Sequence, residues 1–202
     1  MHRLLITAAA VAALVTPVRA ETTWEIDPAH TNVQFSVRHL MISNVRGEFG
    51  KVSGTVTAND QDLTRSKVEA TIDAATINTR EAKRDEHLRS PDFLDVARYP
   101  SITFVSKKIA KAGDGRWKVT GDLTLHGVTR EVVLDVEAPG TAVKDFTGNV
   151  RSGARVSTKI DRKDYGIVWN KALDGGGIAV GDEIEITIDV EGVKKVAAPP
   201  PA

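Results

Sequence analysis

Along much of this chain apolar and polar residues alternate one for one. Trp117, Val119, Leu123 and Leu125 alternate with Lys118, Thr120, Asp122 and Thr124, and Val132, Leu134 and Val136 with Val133, Asp135 and Glu137. Ile184, Ile186, Ile188 and Val190 alternate with Glu183, Glu185, Thr187, Asp189 and Glu191. Successive side chains of a strand point to opposite faces, so each run lays its apolar set on one side of a sheet. The same phase runs through Val33, Phe35 and Val37, through Val68, Ala70 and Ile72, and through Ile102 and Phe104 in a strand from Ser101 to Ile109. Trp24 to Ile26 is a short opening strand ended by Asp27–Pro28, and Val150, Ala154 and Val156 mark a strand that ends near Asp161. One strand is expected from about Arg46 to Ala58, bent at Gly50 and Gly54. Gly113–Asp114–Gly115 and His126–Gly127 supply tight turns. The pattern predicts an all-β domain of eight principal strands, mostly consecutive, which must roll up or stack to hide one face.

One segment breaks the rhythm. From Ile77 to Pro100, Asn78 followed by Glu81 fits a capping box, and Thr79 to Leu88 holds good helix formers, almost all charged. A helix with so little apolar stripe belongs on the surface, across a barrel end. Ser90–Pro91 reads as a second helix start, whose Phe93 and Leu94 plug into the sheet. A second irregular stretch, Arg162 to Gly181, carries Gly175–Gly176–Gly177 and Trp169.

Both ends differ from the middle. Met1–His2–Arg3, an apolar run from Leu4 to Val15, and Val18–Arg19–Ala20 follow the plan of a secretory signal peptide cut before Glu21. The run is shorter than the roughly 20 apolar residues that span a bilayer. This divides the chain into a signal peptide at 1–20, a domain at 21–192 and a Pro/Ala tail at 193–202. Removing residues 1–20 takes away Arg3 and Arg19 and no acid, so 27 basic side chains fall to 25 against 27 acidic ones, a net charge of −2. No basic stripe for nucleic acid is visible. The chain has no cysteine, which excludes disulfides and thiol chemistry.

Alternation does not say which face is inside. A membrane barrel has the same period but carries aromatic girdles, and this chain has ten aromatics, thinly spread. The charged set is therefore expected outside. The inward set is Val33, Phe35, Val37, Ile72, Ile102, Phe104, Trp117, Val119, Leu123, Leu125, Val132, Leu134, Val136, Ile184, Ile186 and Ile188. Eight strands enclose just enough space to be filled by side chains or to hold one small ligand. An aliphatic tube with few aromatics on its axis suits a long hydrocarbon chain; a solid barrel or a β-sandwich fits the composition equally well.

Reactive chemistry is sparse. His30, His39, His87 and His126 show no metal-ligand spacing, so no metal and no cofactor is expected. No nucleophile elbow is present, so no catalytic residue is assigned. Arg80 and Arg84, at helical spacing, and His87 are candidate contacts to a lipid head group. The competing reading is an enzyme acting on a lipid head group at the mouth with His87 or His126.

Several segments resemble one family. Asp27–Pro28–Ala29–His30–Thr31 and Val45–Arg46–Gly47–Glu48–Phe49 are similar to the opening of YceI-like proteins. So are Arg84 to Asp95, Tyr99–Pro100–Ser101–Ile102–Thr103–Phe104, Gly121 to Thr129, Ile160 to Gly166 and Gly181–Asp182–Glu183–Ile184, in that order. The resemblance spans residues 22 to about 192. It implies an extended, lipocalin-like antiparallel barrel, often dimeric. It also implies an elongated apolar pocket for a polyisoprenoid or other long-chain amphiphile, in the periplasm. The export signal has a direct check: N-terminal sequencing of the exported protein should begin at Glu21, and recovery of full-length chain in the cytosol would count against it.

Overall fold

The computed structural model describes residues 21–138 and 141–195. The strands are β1 (Glu21–Ile26), β2 (Asn32–His39), β3 (Ser43–Phe49), β4 (Val52–Asn59), β5 (Lys67–Asp73), β6 (Ile77–Asn78), β7 (Ser101–Gly113), β8 (Arg116–Leu125), β9 (Val128–Glu137), β10 (Val143–Lys144), β11 (Val150–Asp161) and β12 (Val180–Lys194). Among the described residues one α-helix, α1 (Ala82–Arg89), lies between β6 and β7. Eight strands close into a ring, β1–β4–β5–β7–β8–β9–β11–β12 and back to β1, with every neighbour antiparallel. This is the barrel that the alternation predicts.

The long β12 holds the ring together. One of its edges pairs with β11 from Asp161↔Glu183 to Arg151↔Val193. The other takes β2 over residues 32–39 and then β1 over residues 24–26, so β1 and β2 act as one long strand bent at residues 27–31. β3 and β4 lie end to end in the same way, broken at Gly50–Lys51. Register carries the apolar phase around the wall: Trp117 faces Val136, Val136 faces Val156, Val156 faces Ile188 and Ile188 faces Val33. The opposite phase carries cross-strand ion pairs such as Lys118–Asp135 at 2.6 Å and Arg155–Asp189 at 2.9 Å. Exposed pairs of this kind contribute about 0–1 kcal/mol each, so they favour register and solubility more than stability.

One end of the barrel is plugged. Phe93 and Leu94, from the turn after α1, and Tyr165 and Ile167, from the loop after β11, pack on Ile77, Ile102, Leu125 and Ile160. The loop is stapled by Arg162, whose guanidinium is 3% exposed and donates to the carbonyls of Gly181, Ile167 and Trp169 and to Asp182. A buried cation is tolerated because its donors are met by carbonyls and a carboxylate.

Several boundaries differ from the sequence reading. The helix does not begin at Thr79: Arg80 has a left-handed backbone (φ 65°), and Glu81 is the cap, accepting from the Lys83 and Arg84 amides. Asn78 instead turns back onto the Arg80 amide. Arg80 and Arg84 therefore do not share a helical face. No second helix follows Ser90, because the Leu94 and Asp95 amides return to the Leu88 and Ser90 carbonyls and close turns. The expected strand from Arg46 to Ala58 is two strands. The expected tail at 193–202 starts too early, since Val193 and Lys194 pair with Glu25 and Trp24. The Lys195 amide also donates to the Thr23 carbonyl at 2.8 Å, whereas the expected signal peptide and residues 196–202 lie outside the described residues.

Two inward glycines make room for rings. A Cβ on Gly47 would fall inside the Phe35 ring and against Thr79, and one on Gly121 would meet Phe104 and the Val105 carbonyl. Gly47→Ala should lower stability by about 1–3 kcal/mol through overpacking. Phe35→Ala in the same chain should make the alanine cheaper. Strictly additive melting losses in the double variant would rule out the ring as the cause.

Candidate functional site

The candidate site is the inner surface of the barrel. Of the expected inward residues, Val33, Ile102, Phe104, Val119 and Leu125 are buried. Phe35, Val37, Ile72, Trp117, Leu123, Val132, Leu134, Val136, Ile184, Ile186 and Ile188 are half-buried. All but Val37 belong to apolar clusters. Leu125 and Ile102 are part of the plug itself. Alternation also places Trp24, Val68 and Val156 on this face, through Trp24↔Val56, Val56↔Val68 and Val156↔Ile188. The sequence reading left them out of the site, although Trp24 shares the phase of Ile26.

The apolar packing is divided. Away from the plug, one cluster gathers Ile26, Val33 and Val52 with Ala70, Ile188 and Val190. A second cluster gathers Phe104, Ile109 and Val119 with Val68, Trp117, Leu134 and Val136. The two clusters share no residue but adjoin at β5 and β7, where Ala70 pairs with Phe104, and each shares residues with the plug: Phe49 and Ile72 on one side, Leu123 and Val132 on the other. Strands hydrogen-bonded along the ring still leave Trp117, Leu134 and Val136 within reach of water. The inner surface is therefore apolar and is packed shut at the end where Phe93 and Tyr165 sit.

The polar candidates are placed separately. Arg80 lines a recess of about 350 Å³ on the outer face, with Arg46, Glu48 and Glu185. Arg84 turns inward to Thr79, donating to its hydroxyl at 2.7 Å and its carbonyl at 2.8 Å. His87 meets Asp92 at 2.8 Å, and its ring lies edge-on to both Phe93 and Trp169, each 5.0 Å away. Trp169 thus anchors its loop to the plug. His126 occupies a left-handed turn position (φ 51°), with Nδ1 3.0 Å from the Tyr165 carbonyl. These contacts fasten turns.

Among the described residues, Asp27, His30 and Glu191 form the one group with metal-ligand geometry. The Arg151 guanidinium already fills it. It lies 2.6 Å from Asp27, Glu191 and Asp145. Asp27 also accepts from His30 and the Ala29 amide, so its carboxyl is held down to about 2, chiefly by Arg151. Asp145 is pulled well below the usual carboxylate range by the same arginine. The cluster clasps the bend between β1 and β2 to β11 and β12.

A closed antiparallel barrel with an apolar interior and a plug at one end defines the lipocalin-like class. The YceI-like domain profile matches residues 24–192. The UPF0312 protein SAS2572 of Staphylococcus aureus is 36% identical over 170 residues, covering 84% of this chain and 96% of the relative. This chain belongs to the YceI-like family. Among solved structures, the Campylobacter jejuni YCEI protein superposes with a TM-score of 0.66 at 33% identity, covering 79% of this chain and 90% of that one. A polyisoprenoid binding domain from Saccharophagus degradans, implicated in plant cell wall breakdown, superposes with a TM-score of 0.60 at 15% identity, over 85% of this chain and 98% of that one.

The Arg151 clasp sets an acid dependence. The folded Asp27 pKa lies below its ordinary 3.8, so the stability it contributes is complete above that value and is lost as pH falls towards about 2. Melting temperature should fall less steeply over this window in Asp27→Asn than in the parent. Parallel curves would show that the clasp does not couple to folding.

Proposed function

We propose that this chain is a periplasmic binding protein that holds a long-chain isoprenoid or a related fatty amphiphile inside the barrel, for storage, sequestration or transport. The observation that carries this reading is a closed barrel whose inner phase forms an aliphatic sleeve, along which Trp117, Leu134 and Val136, away from the plug, keep exposed surface. A hydrocarbon chain inside it would cover Trp117, Leu134, Val136 and Ile188, and burial of apolar area contributes about 25 cal/mol per Å². Binding of this kind is non-directional and suits a guest that carries its polarity at one end. The tail would run towards Phe93 and Tyr165, leaving the head at the end where β1 begins and β12 finishes. The fold shared with a polyisoprenoid binding domain supports the ligand class. The fixed roles of His87 and His126 favour binding over head-group chemistry.

Two measurements test this. Organic extraction of natively purified protein followed by mass spectrometry should release a near-stoichiometric lipid that survives incubation intact; a hydrolysed head group would favour an enzyme. Leu134→Trp fills the sleeve away from the plug. It should sharply reduce binding of a fluorescent polyprenyl probe while the melting temperature holds. Overpacking a solid core would instead cost about 1–3 kcal/mol of stability. That loss, with no ligand found in the parent, would sink the reading. Leu125 is the poorer site for this test because it belongs to the plug.

A further inference from the structure

The turn between β2 and β3 is built against the usual rules. His39 pairs with Ser43, so the connection is three residues, closed by the Ile42 amide on the His39 carbonyl, and its first two, Leu40 (φ 50°) and Met41 (φ 61°), are left-handed, a conformation that turns normally give to Asn, Asp or Gly. The turn also pushes its side chains outward. Leu40 is 37%, Met41 52% and Ile42 77% exposed, three large apolar residues in succession at one tip. Strain together with exposure at one spot is the mark of a working surface rather than a packing compromise.

The tip is held in place. The Arg38 guanidinium donates to the Met41 carbonyl at 2.8 Å and reaches Asn44 at 3.5 Å, and the Leu40 amide donates to the Ala179 carbonyl at 2.8 Å. Gly177 lies beside the Met41 side chain. Val168, on the same stapled loop, is a further exposed apolar residue at 64%. The flanks are basic. The segment from Asn32 to Gly47 contains Arg38 and Arg46 and no acid, and neither arginine forms an ion pair among the described residues. Lys171 adds a cation and Asp174 an acid on the neighbouring loop.

We propose that this hairpin tip docks the protein onto an anionic lipid bilayer, with Leu40, Met41 and Ile42 entering the interface and Arg38 facing the lipid phosphates. A convex tip of three side chains offers far less than the ~800 Å² per partner of a standard protein interface. An interfacial anchor needs no more than a small apolar wedge with cations behind it. The surface is separate from the sleeve, so the two readings can fail independently.

The test uses the chain from Glu21 onward, which contains every described strand, in flotation with phosphatidylglycerol–phosphatidylcholine vesicles. The protein should float with anionic vesicles, less with pure phosphatidylcholine, and less as salt is raised. Ile42→Asp with Met41→Asp should cut the bound fraction about tenfold or more, as loss of a buried apolar wedge demands. The milder Ile42→Ser should fall between, and Phe146→Asp, at a fully exposed site elsewhere, should leave flotation unchanged. An unaltered melting temperature and undiminished polyprenyl-probe binding would show that fold and sleeve survive. A parent that stays with the bulk solution, or a double variant that floats as well as the parent, would overturn the proposal. So would a parent dimer that the double variant splits while neither binds vesicles.

Discussion

The rest of the structure depends on hiding one apolar sheet face without a second sheet to cover it. Each strand carries charge on one phase and aliphatic side chains on the other, so a flat sheet would leave the apolar phase in water. Closing the ring hides that phase and removes the free edges at the same time. β12 makes closure possible because it is long enough to serve β11 along one edge and both β1 and β2 along the other. The bend between β1 and β2 follows from this, and the Arg151 clasp with its three carboxylates secures it where the backbone ladder is interrupted.

Closing a barrel does not by itself fill it. The plug takes its side chains from two segments distant in sequence, residues 93–94 and 165–167, which meet over β7, β8 and β11. Beyond it, the walls are lined by Val, Ile and Leu with glycines at Gly47, Gly54 and Gly121, and at Gly47 and Gly121 the vacant volume is used by Phe35 and Phe104.

The strand phases, the turns at His126–Gly127 and Gly113–Asp114–Gly115, and the plugging role of Phe93 and Leu94 were legible because each depends on local periodicity or turn chemistry. The start of α1 was not. Asn78 and Glu81 satisfy a capping pattern, yet the left-handed Arg80 between them is set by the contact of Arg84 with Thr79, which no local rule contains. Arg162 was invisible for a related reason. A charged residue in a glycine-rich loop reads as solvated, and its burial rests on carbonyls that only the folded loop brings together. Helical spacing groups Arg80 with Arg84, but Arg80 lies ahead of the cap at Glu81 and so off the helix. Whether the barrel is filled or open leaves no trace in the sequence at all, since both share the same alternation.

The pairing of β1 with β12 also governs how the chain can fold. Residues 24–26 find their partners at residues 192–194, so the ring joins the first strand to the last. Contacts of such long sequence separation demand loop-closure entropy before they return any stabilisation, and they slow folding. During synthesis from the N-terminus, β4 through β9 can zip hairpin by hairpin, but the sheet keeps two open edges until residue 194 has emerged. Until then the apolar phase faces water, and the nascent barrel has the hazards of an unfinished sheet. A chain with this topology gains from being held extended until its last strand is available.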